Sequence, residues 1–186
     1  MMTQETKKKS HFRRNLFLLF IAVFSALFQV GSMQTVTQQE ANEFIKVVGE
    51  QIKGIDAVGI FLHNALFALI MMIPGGFIYG GLIAFQTGWA VSAATVISPE
   101  LAQMPALSLL FISPFGLMEI TAYAIAMSRS VILVQTLVNR TIRTQLKSTL
   151  KEIGIVIGLL LAGGFLEYAM IQWAIENGYN LVEMMS

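Results

Sequence analysis

Hydrophobic and polar positions fall along this chain in long blocks. Leu16 to Met33 is an 18-residue apolar run behind the basic stretch TKKKSHFRR, Thr6 to Arg14. A helix needs about 20 apolar residues to span a bilayer, with about 17 as the lower limit. The pattern therefore predicts a basic leader over 1–15 and a first spanning helix over 16–33. Val30 to Ser32 offers a small-residue cleavage site for a signal peptide, but it lacks an A-x-A ending. A retained anchor is expected, with its N-terminus in the cytoplasm.

Residues 34–56 are polar. Thr37 and Glu40 have the T-x-x-E spacing of a capping box, in which each residue satisfies a free N–H of the helix start. Phe44, Val48, Ile52 and Ile55 then recur every three or four residues, with Lys46, Glu50 and Lys53 between them. That spacing predicts an amphipathic helix lying on the outer membrane face. From Ala57 to Ile97, 41 residues contain no Asp, Glu, Lys or Arg. At 1.5 Å per residue this is about 60 Å of helix, enough to cross twice. The turn falls either at Pro74–Gly76 or at Gln86–Gly88. Gly76, Gly80, Ala84, Gly88 and Ser92 lie four residues apart, and such a stripe packs helices closely only if its helix is continuous. The spacing favours Pro74.

Residues 98–113 read as an outer loop with a short, partly inserted segment, Ala106 to Ile112. Continued to Val138, that segment would make a helix of about 50 Å; Pro114 divides it, because proline removes a helical hydrogen bond and clashes with the preceding turn. A fourth spanning helix is expected over 114–138. Residues 139–152 place Arg140, Arg143, Lys147 and Lys151 on one side and Ile142, Leu146, Leu150 and Ile153 on the other. This predicts a basic amphipathic helix on the cytoplasmic, anionic leaflet. A fifth span over 153–175 carries a second small-residue stripe, Gly154, Gly158 and Ala162, and 176–186 forms an outer tail.

Composition sharpens the picture. The chain is 55% hydrophobic and 12% charged, against about 25% charged in a soluble domain, and its mean hydropathy is +0.69. An all-α, polytopic transmembrane bundle of about five helices in a single domain is expected. With five crossings, every Lys and Arg except Lys46 and Lys53 falls on or near the side of the N-terminus. That asymmetry orients the bundle in the cell membrane with its N-terminus cytoplasmic and its C-terminus outside. A net charge of +1 says nothing about nucleic acid, which is not expected as a partner, and the absence of cysteine removes disulfides and thiolate metal sites. There is no H-E-x-x-H zinc motif, phosphate-binding loop or G-x-S-x-G elbow. No catalytic, metal-binding or cofactor-binding group is expected.

Three ionisable side chains remain inside predicted spans: His63, Glu119 and Glu167. An ionised group at mid-bilayer costs about 2.5–3.5 kcal/mol even on the lenient insertion scale, so each needs a partner, water or a proton. Glu119 lies one turn before Tyr123, whose hydroxyl is a candidate donor, and just inside a helix opened at Pro114, where the dipole favours a carboxylate. Glu167 stands over Gly163 and Gly164, a face that points inward. His63 and its neighbour Asn64 are candidates for hydrogen bonds across helices. Arg129 is ten residues beyond Glu119, about 15 Å along the axis, and is expected to snorkel to the cytoplasmic surface.

The stretches GIFLHNALFALI (Gly59 to Ile70), GGFIYGGLIAFQTGWAVSAA (Gly75 to Ala94) and SPFGLMEITAYAIA (Ser113 to Ala126), in that order, resemble the stage II sporulation protein M family. That family typically has an IFxNN helix start, a glycine-rich apolar sequence with an NG element, and a later PHGxxE motif. Ile60, Phe61 and Asn64 match the first element, with His63 at an asparagine position. Gly88 matches the glycine of NG, after Thr87. Pro114, Gly116 and Glu119 match the third, with Phe115 in place of histidine, which removes any role needing a His–Glu pair. The resemblance spans about residues 57 to 175 and implies an integral membrane protein. The family's namesake anchors a complex of wall-degrading partners in spore-forming bacteria, and some relatives are encoded beside transporter or ATPase components. A non-enzymatic scaffold or subunit of a larger membrane complex is therefore expected, in contact with the lipid bilayer and with other membrane proteins or further copies of itself. The alternative is a small oligomeric transporter or channel with Glu119 and Glu167 as ion or proton sites.

Overall fold

The computed structural model of the protein describes residues 4–52 and 56–177. Lys53, Ile55 and the tail beyond 177 lie outside the described residues. The elements are α1 (Gln4–Ser32), α2 (Gln38–Ile52), α3 (Ala57–Met72), α4 (Phe77–Ile97), α5 (Pro99–Ala102), α6 (Ala106–Ile112), α7 (Pro114–Val138), a 3-10 turn (Ile142–Gln145) and α8 (Leu146–Glu176). No strand occurs among the described residues. Segments of α1, α4 and α7, and the segment from the 3-10 turn into α8, are long and apolar enough to cross a membrane; α3 is a shorter apolar helix. The chain is a multi-pass helical membrane protein, and about five crossings fit it.

Each helix boundary has a local cause. Thr37 caps α2: its backbone N–H and hydroxyl donate to the Glu40 carboxylate at 2.8 and 2.7 Å, and the Glu40 N–H returns to the Thr37 hydroxyl at 3.3 Å. The backbone bond first, and the hydroxyl second, hold the Glu40 carboxyl below its ordinary range. Asp56 caps α3 by accepting from the Gly59 N–H at 2.8 Å. The turn between α3 and α4 falls at Pro74 and Gly75, where Gly75 takes φ 85°, a conformation that costs glycine nothing. It leaves α4 unbroken from Phe77 to Ile97.

That continuity matters because α4 presents its small residues to two neighbours. A methyl group at Gly88 would strike the Phe28 carbonyl of α1 and come within 2.9 Å of the Ser32 nitrogen. Reciprocally, one at Gly31 would strike the Phe85 carbonyl of α4. The α1 and α4 backbones thus touch at Gly31 and Gly88. Gly80 faces the Met127 side chain of α7, and Ala84 is fully buried between them. Gly76 packs on the Ile70 and Met71 carbonyls in the last turn of α3, across the α3–α4 turn.

Helix α7 is the hub, touching α1, α3, α4, α6 and α8. Its buried residues, Ala122, Ala124, Ala126 and Ser128 among them, are small enough for neighbours to close in all round. Phe20, Phe24, Met71, Met127, Val156 and Leu160 fill the core from four helices. On the far side from the α3–α4 turn, α2 covers the end of α4: Phe44 meets Trp89 edge-on, with ring centroids 5.2 Å apart.

Two sequence expectations need correction. The stripe Gly154, Gly158 and Ala162 does not pack on another helix among the described residues: all three are exposed, and none of those residues lies within 4 Å of a methyl group placed at either glycine. The inward face of α8 is Val156, Leu160, Gly163 and Gly164. It lies two residues, or roughly 200°, round the helix from the expected one. Gly164 packs on α3, where a methyl group would sit 3.1 Å from the Phe61 nitrogen. Second, residues 139–152 are not one basic helix. The chain must reverse between α7 and α8, and the reversal occupies 139–145. Arg140 takes φ 54°, while the N–H groups of Arg140 and Thr141 bond back to Leu137 and Thr136 at 3.0 and 2.8 Å, as in a Schellman cap. Arg140 and Arg143 belong to the reversal; Lys147 and Lys151 lie on the first turns of α8, and all four are exposed.

Candidate functional site

The corner between α6 and α7 explains why a proline, a glycine and a carboxylate interrupt an apolar stretch. Ser113 caps α7, its hydroxyl accepting from the Gly116 N–H at 3.1 Å, and Pro114 occupies the first turn, where no N–H is needed. Gly116 lets the α6 backbone close in: a methyl group there would lie 2.6 Å from the Leu110 carbonyl. Glu119 then points across to α3.

Its partner is Asn64. The Asn64 Nδ2 donates to Glu119 Oε1 at 2.5 Å, and Tyr123 Oη donates to Asn64 Oδ1 at 3.2 Å. The amide thus stands between carboxylate and phenol, and the Tyr123 hydroxyl does not go to Glu119 as expected. A cavity of about 160 Å³ lies beside this chain of groups, lined by His63, Asn64, Phe67, Thr87, Glu119 and Tyr123 together with apolar side chains. His63 sits at its rim, exposed, and meets Phe67 edge-on with centroids 4.4 Å apart; among the described residues it makes no hydrogen bond across helices. Glu167 on α8 is half-buried and within electrostatic range of both Glu119 and Tyr123. The structure therefore joins Glu119, Asn64 and Tyr123 in one polar centre, with His63 at its edge, and Glu167 does not line its cavity. Asn64, Thr87 and Glu119, from the three family-like stretches, all line the one cavity. Among the described residues, no three His, Asp or Glu side chains gather as metal ligands would.

A second polar centre lies near the α3–α4 turn. Ser130 of α7 donates to the Ile73 carbonyl at 2.6 Å and accepts from the Phe77 N–H at 3.3 Å, so it satisfies backbone that the turn leaves open. Its neighbour Arg129 is only 2% exposed. Arg129 Nε and Nη2 grip Glu152 of α8 at 2.7 and 2.5 Å. Nη1 donates to Gln145 at 3.1 Å, and Nη2 also to Ser148 at 2.8 Å. Arg13 of α1 donates to the same carboxylate. The expectation that Arg129 snorkels to the surface is therefore wrong: a counter-charge within the bundle removes the reason to leave it. The sequence held a signal for this, since a lone arginine in an apolar span needs an acid. Glu152 escaped notice because it was assigned to a surface helix, whereas α8 runs unbroken from Leu146 and carries it inward.

The fold and these two centres define a polytopic membrane protein whose helices are tied by buried polar groups. A family model described as Stage II sporulation protein M matches residues 15–170, and the chain belongs to that family. The match reaches back through α1, beyond the motifs that carried the resemblance. No curated protein and no solved structure matches the chain.

Proposed function

We propose that the protein is a non-enzymatic subunit or scaffold of a larger assembly in the cell membrane, with its N-terminus in the cytoplasm. The observation that carries this reading is the outer face of α8. Gly154, Gly158 and Ala162 form a small-residue stripe that no helix among the described residues covers, and such a stripe lets a partner helix approach to backbone contact. The buried polar groups support the same reading: Asn64 with Glu119, and Arg129 with Glu152, join helices to one another. The test is copurification of the tagged full-length protein from native membranes in mild detergent, with stoichiometry. A stoichiometric membrane partner, lost on Gly158→Leu while the thermal unfolding midpoint holds, is expected. A lone protomer, or a partner indifferent to Gly158→Leu, overturns the reading.

A second reading has its own observation. Glu119 and Glu167 lie within electrostatic range of each other, and Glu119 borders a cavity, an arrangement usable by a small oligomeric transporter or channel for an ion or proton. Glu119→Gln would then abolish flux in proteoliposomes without disturbing assembly. Flux that survives this substitution counts against transport.

A further inference from the structure

Between α1, α7 and α8 lies a groove of about 450 Å³, lined by Arg13, Arg14, Phe17, Ile125, Glu152 and Ile155. Glu152 is the one carboxylate among these residues, and it is already shared by Arg13 and Arg129. Two guanidiniums thus meet one carboxylate, and one positive charge stays uncompensated. Arg13 Nη2 also reaches the Ile125 carbonyl at 3.4 Å, yet its Nη1 is buried without a hydrogen-bond partner. Arg14, on the next position of α1, is exposed at the mouth of the groove and has no partner among the described residues. A buried donor left unpaired is costly, and an excess of buried or half-buried positive charge calls for an anion.

The position of the groove says which anion. Ser130, next to Arg129, closes the α3–α4 turn, and open backbone of that kind belongs at the membrane boundary. Arg13 and Arg14 stand just ahead of the apolar run that begins at Leu16. The groove therefore lies at headgroup depth, with Phe17, Ile125 and Ile155 forming an apolar wall beside its arginines. We infer that it binds the phosphate of one anionic phospholipid, held by the Arg13 and Arg14 guanidiniums, with the upper acyl chain against Phe17, Ile125 and Ile155. The planar guanidinium fork suits phosphate oxygens, and a swing of the Arg13 tip gives its Nη1 the acceptor that the chain does not supply. Basic pockets between membrane helices commonly hold such headgroups. The apolar wall favours a lipid over a free phosphate ion. The site is distinct from Arg140, Arg143, Lys147 and Lys151, which are exposed, do not line the groove and act by diffuse attraction.

The test is native mass spectrometry of the full-length protein in mild detergent, offered equal amounts of dioleoyl phosphatidylglycerol and dioleoyl phosphatidylcholine. One phosphatidylglycerol per protomer is expected, and Arg14→Gln should lower its retention about fivefold, the worth of one cation beside an anionic headgroup. Combined Arg143→Gln, Lys147→Gln and Lys151→Gln should leave the bound lipid in place. Because Arg13 also braces Glu152, it is tested as Arg13→Lys, which keeps the charge and removes the fork; weaker retention at an unchanged unfolding midpoint is expected. Equal retention of the two lipids, or retention unaffected by Arg14→Gln, overturns the proposal. So does displacement of the lipid by millimolar inorganic phosphate, which would make this a free-anion site. Loss of the lipid in the triple variant as large as in Arg14→Gln would also overturn it, in favour of diffuse surface charge.

Discussion

Asn64 holds Glu119 with an amide hydrogen and is itself held by Tyr123, so one side chain decides whether the carboxyl group has a partner. Asn64→Leu removes both bonds and leaves a buried acceptor unsatisfied, and about 1–3 kcal/mol of stability should go with it. Glu119→Gln keeps an oxygen for Asn64 to donate to and should stay near wild type. Thermal unfolding midpoints in mild detergent separate the two; equal losses would mean that the carboxylate's charge, not its bond, is what the fold uses. Glu152→Gln is more severe, since it leaves Arg129 buried without its counter-charge, and ~3–5 kcal/mol is the usual loss when one partner of a buried pair is removed. At this scale the sequence was half legible. Glu119 and Arg129 announce themselves as charges in apolar surroundings. Their partners do not, because Asn64 is 55 positions from Glu119 and Glu152 is 23 from Arg129, and helical periodicity says nothing about pairing across helices.

The faces of the helices follow a similar division. The stripe on α4 was readable because Gly80, Ala84 and Gly88 repeat along one helix, and the Thr37–Glu40 cap was readable because its whole logic spans four residues. The α8 stripe has the same spacing as the α4 stripe and the opposite orientation; which face turns inward depends on where α3 and α7 stand. Two glycines therefore make a discriminating pair. Gly88→Leu forces α1 and α4 apart and should prevent accumulation of folded protein, while Gly158→Leu meets open space and should leave the isolated protein within about 0.5 kcal/mol of wild type. Expression level and unfolding midpoint report both. Acid acts on another element. The Glu40 carboxyl is held below its ordinary range in the folded state, so its cap is intact above that range and is lost as pH falls through the lowered value. Fraying of α2, seen as faster amide exchange over Gln38–Ile52, should set in only on such acidification and should occur at neutral pH in Glu40→Ala.

For the molecule as a whole, the alternation of apolar and polar blocks already contained the rough number of crossings, because a bilayer admits few helix lengths. That α7 is the buried hub was not readable from it. The reversal at 139–145 was not readable: its residues are helix formers with an amphipathic spacing, and only the need to bring α8 back along α7 breaks them into a turn. The direction of insertion can be checked directly, since the chain has no cysteine of its own. A cysteine at Glu43 should react with an impermeant maleimide on intact cells, and one at Arg143 only after permeabilisation; the reverse pattern would invert the bundle. The Arg129–Glu152 pair also sets an order of manufacture. As the chain is synthesised, α7 carries its arginine towards the bilayer 23 residues before the matching acid exists. A product stopped at residue 145 would hold a cation with nothing to neutralise it, and should be short-lived in pulse-chase. The α7–α8 hairpin, rather than either helix, is then the smallest piece that the cell can finish and leave in place.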